Sequence, residues 1–243
     1  MKLLKTNIYV LLSCFLMSFT LMRDGGNQNG GPAYSMGNTD GVFTIYRVTK
    51  EFNFGQSSVN NTRYIAYFLQ SRGDTTTKYF NGNLTFSNHS LVYIPETNIY
   101  TDSFVDSSGN NGYGDHKWVS SSINNYQNFL YHYTRGQAVI ELKNEDRLSD
   151  TIKVSNGLNI NFSQIKNADS IVVTVTAFNG LVLNRRGSGL MQNANFTPSE
   201  LSNFISGGII SISAFNILPQ TINNKNYLFG SVHQYLKLVY FKN

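Results

Sequence analysis

The residues best placed to do chemistry lie between Asp102 and Trp118, where Asp102, Asp106, Asn110, Asn111 and Asp115 punctuate a loop that also holds Gly109, Gly112 and Gly114. Carboxylates and amides at short spacing on a pliable backbone suit calcium, which takes about six to eight oxygen ligands in forgiving geometry. Asp102, Asp106, Asn110 and Asp115 are therefore the candidate metal ligands, and calcium the candidate cofactor. The spacing is not that of an EF-hand, because the glycine and terminal glutamate positions fail. The competing account is a solvated loop whose Asp, Asn and Gly residues serve turns. Tyr113, Asp115, His116 and Trp118 form a second candidate, a ligand contact. Aromatic faces stack on sugars and other flat apolar surfaces while a carboxylate or ring nitrogen orients them, so a carbohydrate or peptide would fit. Against it, a lone Trp in an all-β chain serves as a core anchor.

Elsewhere the signals are thinner. His89, His116, His132 and His233 lie far apart with no H-x-x-x-H pair, so a histidine metal site would have to be assembled by the fold. Arg185-Arg186 runs into Gly187-Ser188-Gly189 and reads as an exposed turn, not a polyanion site. Ser188 is no nucleophile elbow, because Arg186 and Leu190 stand where G-x-S-x-G requires glycine. Glu96, Glu141, Glu145 and Glu200 are explained by loops, a strand edge or a helix cap, so no catalytic residue is assigned. A secreted glycan hydrolase with an acidic site in the 102–118 loop stays open as the alternative function, since paired carboxylates meet in space.

The N-terminus supplies an address. Lys2 and Lys5 precede an apolar run from Ile8 to Met22, and Arg23-Asp24-Gly25-Gly26 follows. The run is 15 residues long, short for a bilayer core of roughly 30 Å, and the pattern is that of a secretory signal. Leu11-Leu12-Ser13-Cys14 has the look of a lipobox, making Cys14 the candidate lipidation site. Its upstream apolar run is short, and Phe15-Leu16-Met17 follows where a polar tether is expected. A small-residue cleavage site is missing near Met22, so cleavage, lipidation and retention as an anchor all stay open.

The formal charge of +5 falls to +3 without Lys2 and Lys5, and the remaining basic residues are scattered, which excludes nucleic acid as the expected partner. Cys14 is the only cysteine, so the body would hold no disulfide and no thiolate metal site. With 17 Phe and 15 Tyr against 14% charged residues, the composition favours strands with uncharged polar faces.

Residues 23–41 have little to bury and read as a flexible tether. Strands are predicted at 42–49, 63–69, 84–86, 90–94 and 137–142, then at 158–162, 170–178, 208–218 and 227–241. The polar stretch from Lys143 to Asp150 predicts a boundary between β-sandwich modules at 42–143 and 150–243. Thr197-Pro198-Ser199-Glu200 is a capping box with proline at the first helical position, and predicts a helix of about two turns. Ile123, Tyr126, Phe129, Leu130 and Tyr133 fit a second helix, although they would serve a strand pair nearly as well.

The signal, lipobox-like tetrapeptide, Gly/Asn tether and aromatic all-β body together resemble small exported envelope proteins of Bacteroidetes-type bacteria. The resemblance covers the architecture of the whole chain, and no specific motif carries it. It implies two tandem immunoglobulin-like antiparallel β-sandwich modules with one or two short helices. Residence in the periplasm, at the outer-membrane surface or outside the cell follows from it. It also implies a role in adhesion or glycan handling. The export signal, taken with the lack of a catalytic constellation in the sequence, leads to the expectation of a non-catalytic binding or structural protein, with a glycan or envelope protein as partner and membrane association through the N-terminus.

Overall fold

Two long β-prone runs near the C-terminus, joined by Asn223-Asn224, form the spine of the molecule. The computed structural model describes residues 39–51, 59–69, 78–102, 116–121, 128–141, 148–162 and 164–242. In chain order the strands are β1 (Gly41–Glu51), β2 (Val59–Leu69), β3 (Lys78–Tyr79), β4 (Asn83–Phe86), β5 (His89–Ser90) and β6 (Val92–Ile94). β7 (Ile99–Thr101), β8 (His116–Ser121), β9 (Phe129–Tyr133), β10 (Val139–Glu141), β11 (Thr151–Lys153) and β12 (Leu158–Asn161) follow. The last are β13 (Gln164–Lys166), β14 (Ser170–Ala177), β15 (Val182–Ser188), β16 (Asn193–Phe196), β17 (Ser206–Ile222) and β18 (Lys225–Lys242). One helical turn, α1 (Pro198–Leu201), precedes β17.

β17 and β18 pair from Ser206↔Phe241 to Ile222↔Lys225. Their two-residue turn puts Asn223 at φ 53° and Asn224 at φ 62°. Positive φ at both central residues is the type I′ arrangement whose twist matches that of the flanking strands, and asparagine tolerates it. Pro219 is accommodated because β14 pairs with β17 only as far as Phe215, so its missing N–H interrupts no ladder on that edge.

Around the hairpin a ten-stranded sheet runs β15-β14-β17-β18-β1-β2-β7-β6, with β11 on β18 and β3 on β2. β1 lies parallel to β18 along its whole length, from Gly41↔Tyr227 to Glu51↔Lys237. The stretches expected as modules 42–143 and 150–243 therefore contribute strands to one sheet. The chain is all-β, with several antiparallel sheets and, among the described residues, no barrel, consistent with a β-sandwich.

Period-two alternation places Phe43, Ile45, Phe68, Tyr227 and Phe229 on one face of this sheet. There they meet Leu84, Phe86, Trp118 and Phe129 of a second, four-stranded sheet ordered β5-β4-β8-β9. Farther along, Ile171, Val173, Ile210, Ile212 and Val239 meet Leu158, Ile160 and Phe196 from the β12–β16 ribbon, with Leu201 and Phe204 beside them. The alternate residues Val42, Tyr46, Val48, Phe215, Ile217 and Val232 form a third buried cluster. Central strands thus carry apolar residues in near-continuous runs, as they must when both faces are covered.

Two sequence expectations are corrected. Phe129, Leu130 and Tyr133 lie in β9, paired with β8, so there is no helix at these positions. Cross-strand aromatic packing wins over the helical spacing, with Phe129 in contact with Phe43 and Tyr227. Arg185 and Arg186 lie within β15 and not in a turn, and the chain reverses after Ser188. The capping box forms as expected. Thr197 Oγ1 accepts from the Glu200 amide at 3.3 Å and the Glu200 carboxylate accepts from the Thr197 amide at 2.8 Å. The helix stops after one turn.

Candidate functional site

Of the expected calcium ligands, Asp102 alone is described; Asp106, Asn110 and Asp115 lie outside the described residues, as do Tyr113 and Cys14. Asp102 directly follows β7, and Thr101 Oγ1 donates to its carboxylate at 3.3 Å. Burial raises the Asp102 pKa, while the Tyr64 amide and the Arg63 charge pull the other way. Among the described residues no group of three or more His, Cys, Asp and Glu is gathered for a metal ion.

His116 and Trp118 open β8 and both point into the aromatic core, because residues i and i+2 of a strand share a face. His116 is 5% exposed, and its ring stacks on Phe86 with centroids 5.3 Å apart. Trp118 is fully buried, 4.6 Å from the Phe86 ring and 5.4 Å from Phe43 in an edge contact. Its indole N–H meets no acceptor among the described residues. These two rings are brought together as part of the packing that joins the two sheets.

A row of buried polar side chains lies on β18 and was missed by sequence reasoning. Ser231, His233, Tyr235 and Lys237 alternate along one face, and all four are buried. Ser231 Oγ accepts from the Ala138 amide at 2.8 Å, and His233 Nδ1 accepts from the Ile140 amide at 2.8 Å. The segment leading into β10 is therefore held flat on the sheet by side chains where an edge ladder would normally do it. Since Nδ1 accepts, the ring proton sits on Nε2 and is donated to Thr49 Oγ1 at 2.9 Å. Burial, aided by the Arg47 charge, pulls the His233 pKa down to about 3.

Two positions on, the Lys237 side chain is 4% exposed and reaches Glu51 at 2.9 Å and also Asp150. Tyr235 donates its hydroxyl to the other Glu51 oxygen at 2.5 Å. Burial by itself lowers the Lys237 pKa, but the bonds and charges of Asp150 and Glu51 outweigh it and the net direction is upward. The ammonium stays charged and ties β1, β18 and the start of β11 together. The signal available in the sequence was the run Ser231-x-His233-x-Tyr235-x-Lys237, polar groups at period two inside an otherwise apolar strand.

On the far side, Arg185 leaves β15 to reach Glu200 at 2.5 Å and the Asn195 carbonyl at 2.9 Å, with its guanidinium 4.6 Å from the Phe196 ring centre. The Thr197 amide first, and then Arg185, hold the Glu200 pKa down at about 2. This arginine and carboxylate are explained by docking the capped turn onto the sheet.

Comparison with protein families, with curated proteins and with solved structures finds no match to this chain. Fold and site define its class as an all-β sandwich protein.

Proposed function

We propose that this chain is an exported protein of the cell envelope that works as a non-catalytic binding or structural β-sandwich. The observation that carries the reading is the N-terminal pattern, Lys2 and Lys5 before the apolar run Ile8 to Met22 and the Gly/Asn-rich tether after it. The folded body supports it. His116 is stacked in the core, His233 orients β10, and Lys237 is clamped between two carboxylates, so each is engaged in holding strands together. Among the described residues no helix is long and apolar enough to cross a membrane. Association with a membrane falls to the N-terminal segment, by retention of the apolar run or lipidation of Cys14. The partner classes are a glycan or an envelope protein.

The rival, a secreted glycan hydrolase, has one observation in its favour: Asp102, next in sequence to the stretch holding Asp106 and Asp115, carries the raised pKa that a general acid needs. The two separate in one experiment. The purified full chain is assayed for binding to, and turnover of, peptidoglycan, lipopolysaccharide and soluble polysaccharides, beside the variant Asp102→Asn. Binding without turnover supports the proposal. Turnover that Asp102→Asn abolishes, with melting unchanged, replaces it with the hydrolase.

A further inference from the structure

The β12–β16 ribbon has one buried and one exposed face, and the exposed face is made of a single residue type. Leu158, Ile160, Ala194 and Phe196 point into the core. Between them Asn159, Asn161, Asn193 and Asn195 are all exposed, and the register pairs them directly, Asn159 with Asn195 and Asn161 with Asn193. Directly opposed side chains in an antiparallel pair stand about 5 Å apart, and residues i and i+2 about 7 Å. Four carboxamides therefore mark the corners of a patch about 5 by 7 Å, on the scale of one sugar ring.

The patch opens into a cleft of about 410 Å³. Asn159 and Asn161 form its shared wall, and Ser149, Lys153 and Asn156 line it on the β11 side. Its floor turns at Gly157, where φ is +70° and an added Cβ would stand 2.7 Å from the Phe196 carbonyl oxygen, so glycine is required there.

Each carboxamide offers one acceptor oxygen and two N–H donors, the complement of sugar hydroxyls that both donate and accept. The one bond within the patch runs from Asn159 Nδ2 to Asn161 Oδ1 at 3.2 Å, and the side chains of Asn193 and Asn195 make no bond to the described residues. Most of the hydrogen-bonding capacity thus faces outward. The four amides carry no charge, which favours a neutral ligand, and Lys153 supplies one further donor. We infer that the asparagine patch and its adjoining cleft form a binding site for a neutral oligosaccharide. The inference rests on the proposed binding function and names its ligand class and location.

The test is affinity electrophoresis of the full chain through gels containing laminarin, dextran or mannan, with alginate as the acidic comparison. The expected result is retardation by at least one neutral polysaccharide and no greater retardation by alginate. N159A/N161A/N193A/N195A should weaken that retardation at least tenfold, with a melting temperature within about 2 °C of the parent because all four side chains are exposed. If the quadruple variant does not fold, Asn159→Asp/Asn161→Asp keeps shape while replacing donors with carboxylates, and should also lose the retardation. A folded variant retarded as strongly as the parent overturns the site and leaves the binding function standing. A parent chain that no neutral polysaccharide retards, or that alginate retards most, overturns the ligand class.

Discussion

Replacing His233 with Asn should flatten the acid side of the stability curve. His233 is 2% exposed, with Nδ1 accepting from the Ile140 amide and Nε2–H on Thr49, an arrangement that accommodates only the neutral ring. Its pKa falls from 6.5 to about 3 on folding. The unfolded chain therefore binds one more proton than the folded chain between those values, and stability drops as pH falls through this window. The contribution is fully present above pH 6.5 and shrinks by about 1.4 kcal/mol per pH unit below it, which amounts to about 3 kcal/mol between pH 7.5 and 4.5. Urea unfolding of parent and His233→Asn at half-unit pH steps measures it. Asn keeps an acceptor near the Ile140 amide but cannot titrate, so the variant should be less stable at neutral pH and lose about 3 kcal/mol less on acidification. Parallel curves for the two proteins would refute the assignment of a buried, neutral His233.

Four further outcomes follow from the packing. Lys237→Met leaves Glu51 and Asp150 facing each other without their cation and should cost about 3 kcal/mol, partly recovered in Lys237→Met/Glu51→Gln/Asp150→Asn; equal stability of the single and triple variants would show that the clamp is not what holds the strands. Trp118→Ala should cost about 3–5 kcal/mol by calorimetry, since it empties the centre of the aromatic core between Phe43 and Phe86. Thr197→Ala should cost about 1 kcal/mol through the lost cap, read by chemical denaturation. Gly208→Ala should destabilise by about 1–3 kcal/mol, because the new methyl meets the Thr176 carbonyl at 2.4 Å, whereas Gly207→Ala meets the exposed Phe178 ring, which can swing aside, and should be nearly silent in thermal melts.

Strands with strong local signals were legible in the chain. Val42 to Thr49 and Ser170 to Ala177 combine β-branched and aromatic residues with bounding turn residues, and each appears within a residue or two of its expected limits. The cap at Thr197 was equally plain, because Pro198 and Glu200 each add an independent cue. Pairing was not legible. Nothing local in Val42–Val48 says that it will lie parallel to a strand almost two hundred residues away, since register is decided by which faces bury together. The spacing of Phe129, Leu130 and Tyr133 fitted a helix and a strand pair nearly equally, and only the pairing with β8, which buries Phe129 and Tyr133, decides between them; Ile123 and Tyr126 lie outside the described residues. The candidate site divided similarly. Tyr113 to Trp118 was noticed for its residue types, yet strand alternation at His116 and Trp118 turns both rings inward. The alternation of asparagine in Leu158-Asn159-Ile160-Asn161 was visible, but Asn193-Ala194-Asn195-Phe196 became its partner only through the fold.

Export is tested by expressing the full chain in a bacterial host, fractionating the cells and determining the N-terminus of the recovered protein by mass spectrometry. Export predicts recovery from the envelope or medium, with the apolar segment Ile8 to Met22 removed, lipidated at Cys14 or held in the membrane. A chain recovered intact from Met1 in the soluble cytoplasmic fraction would contradict it.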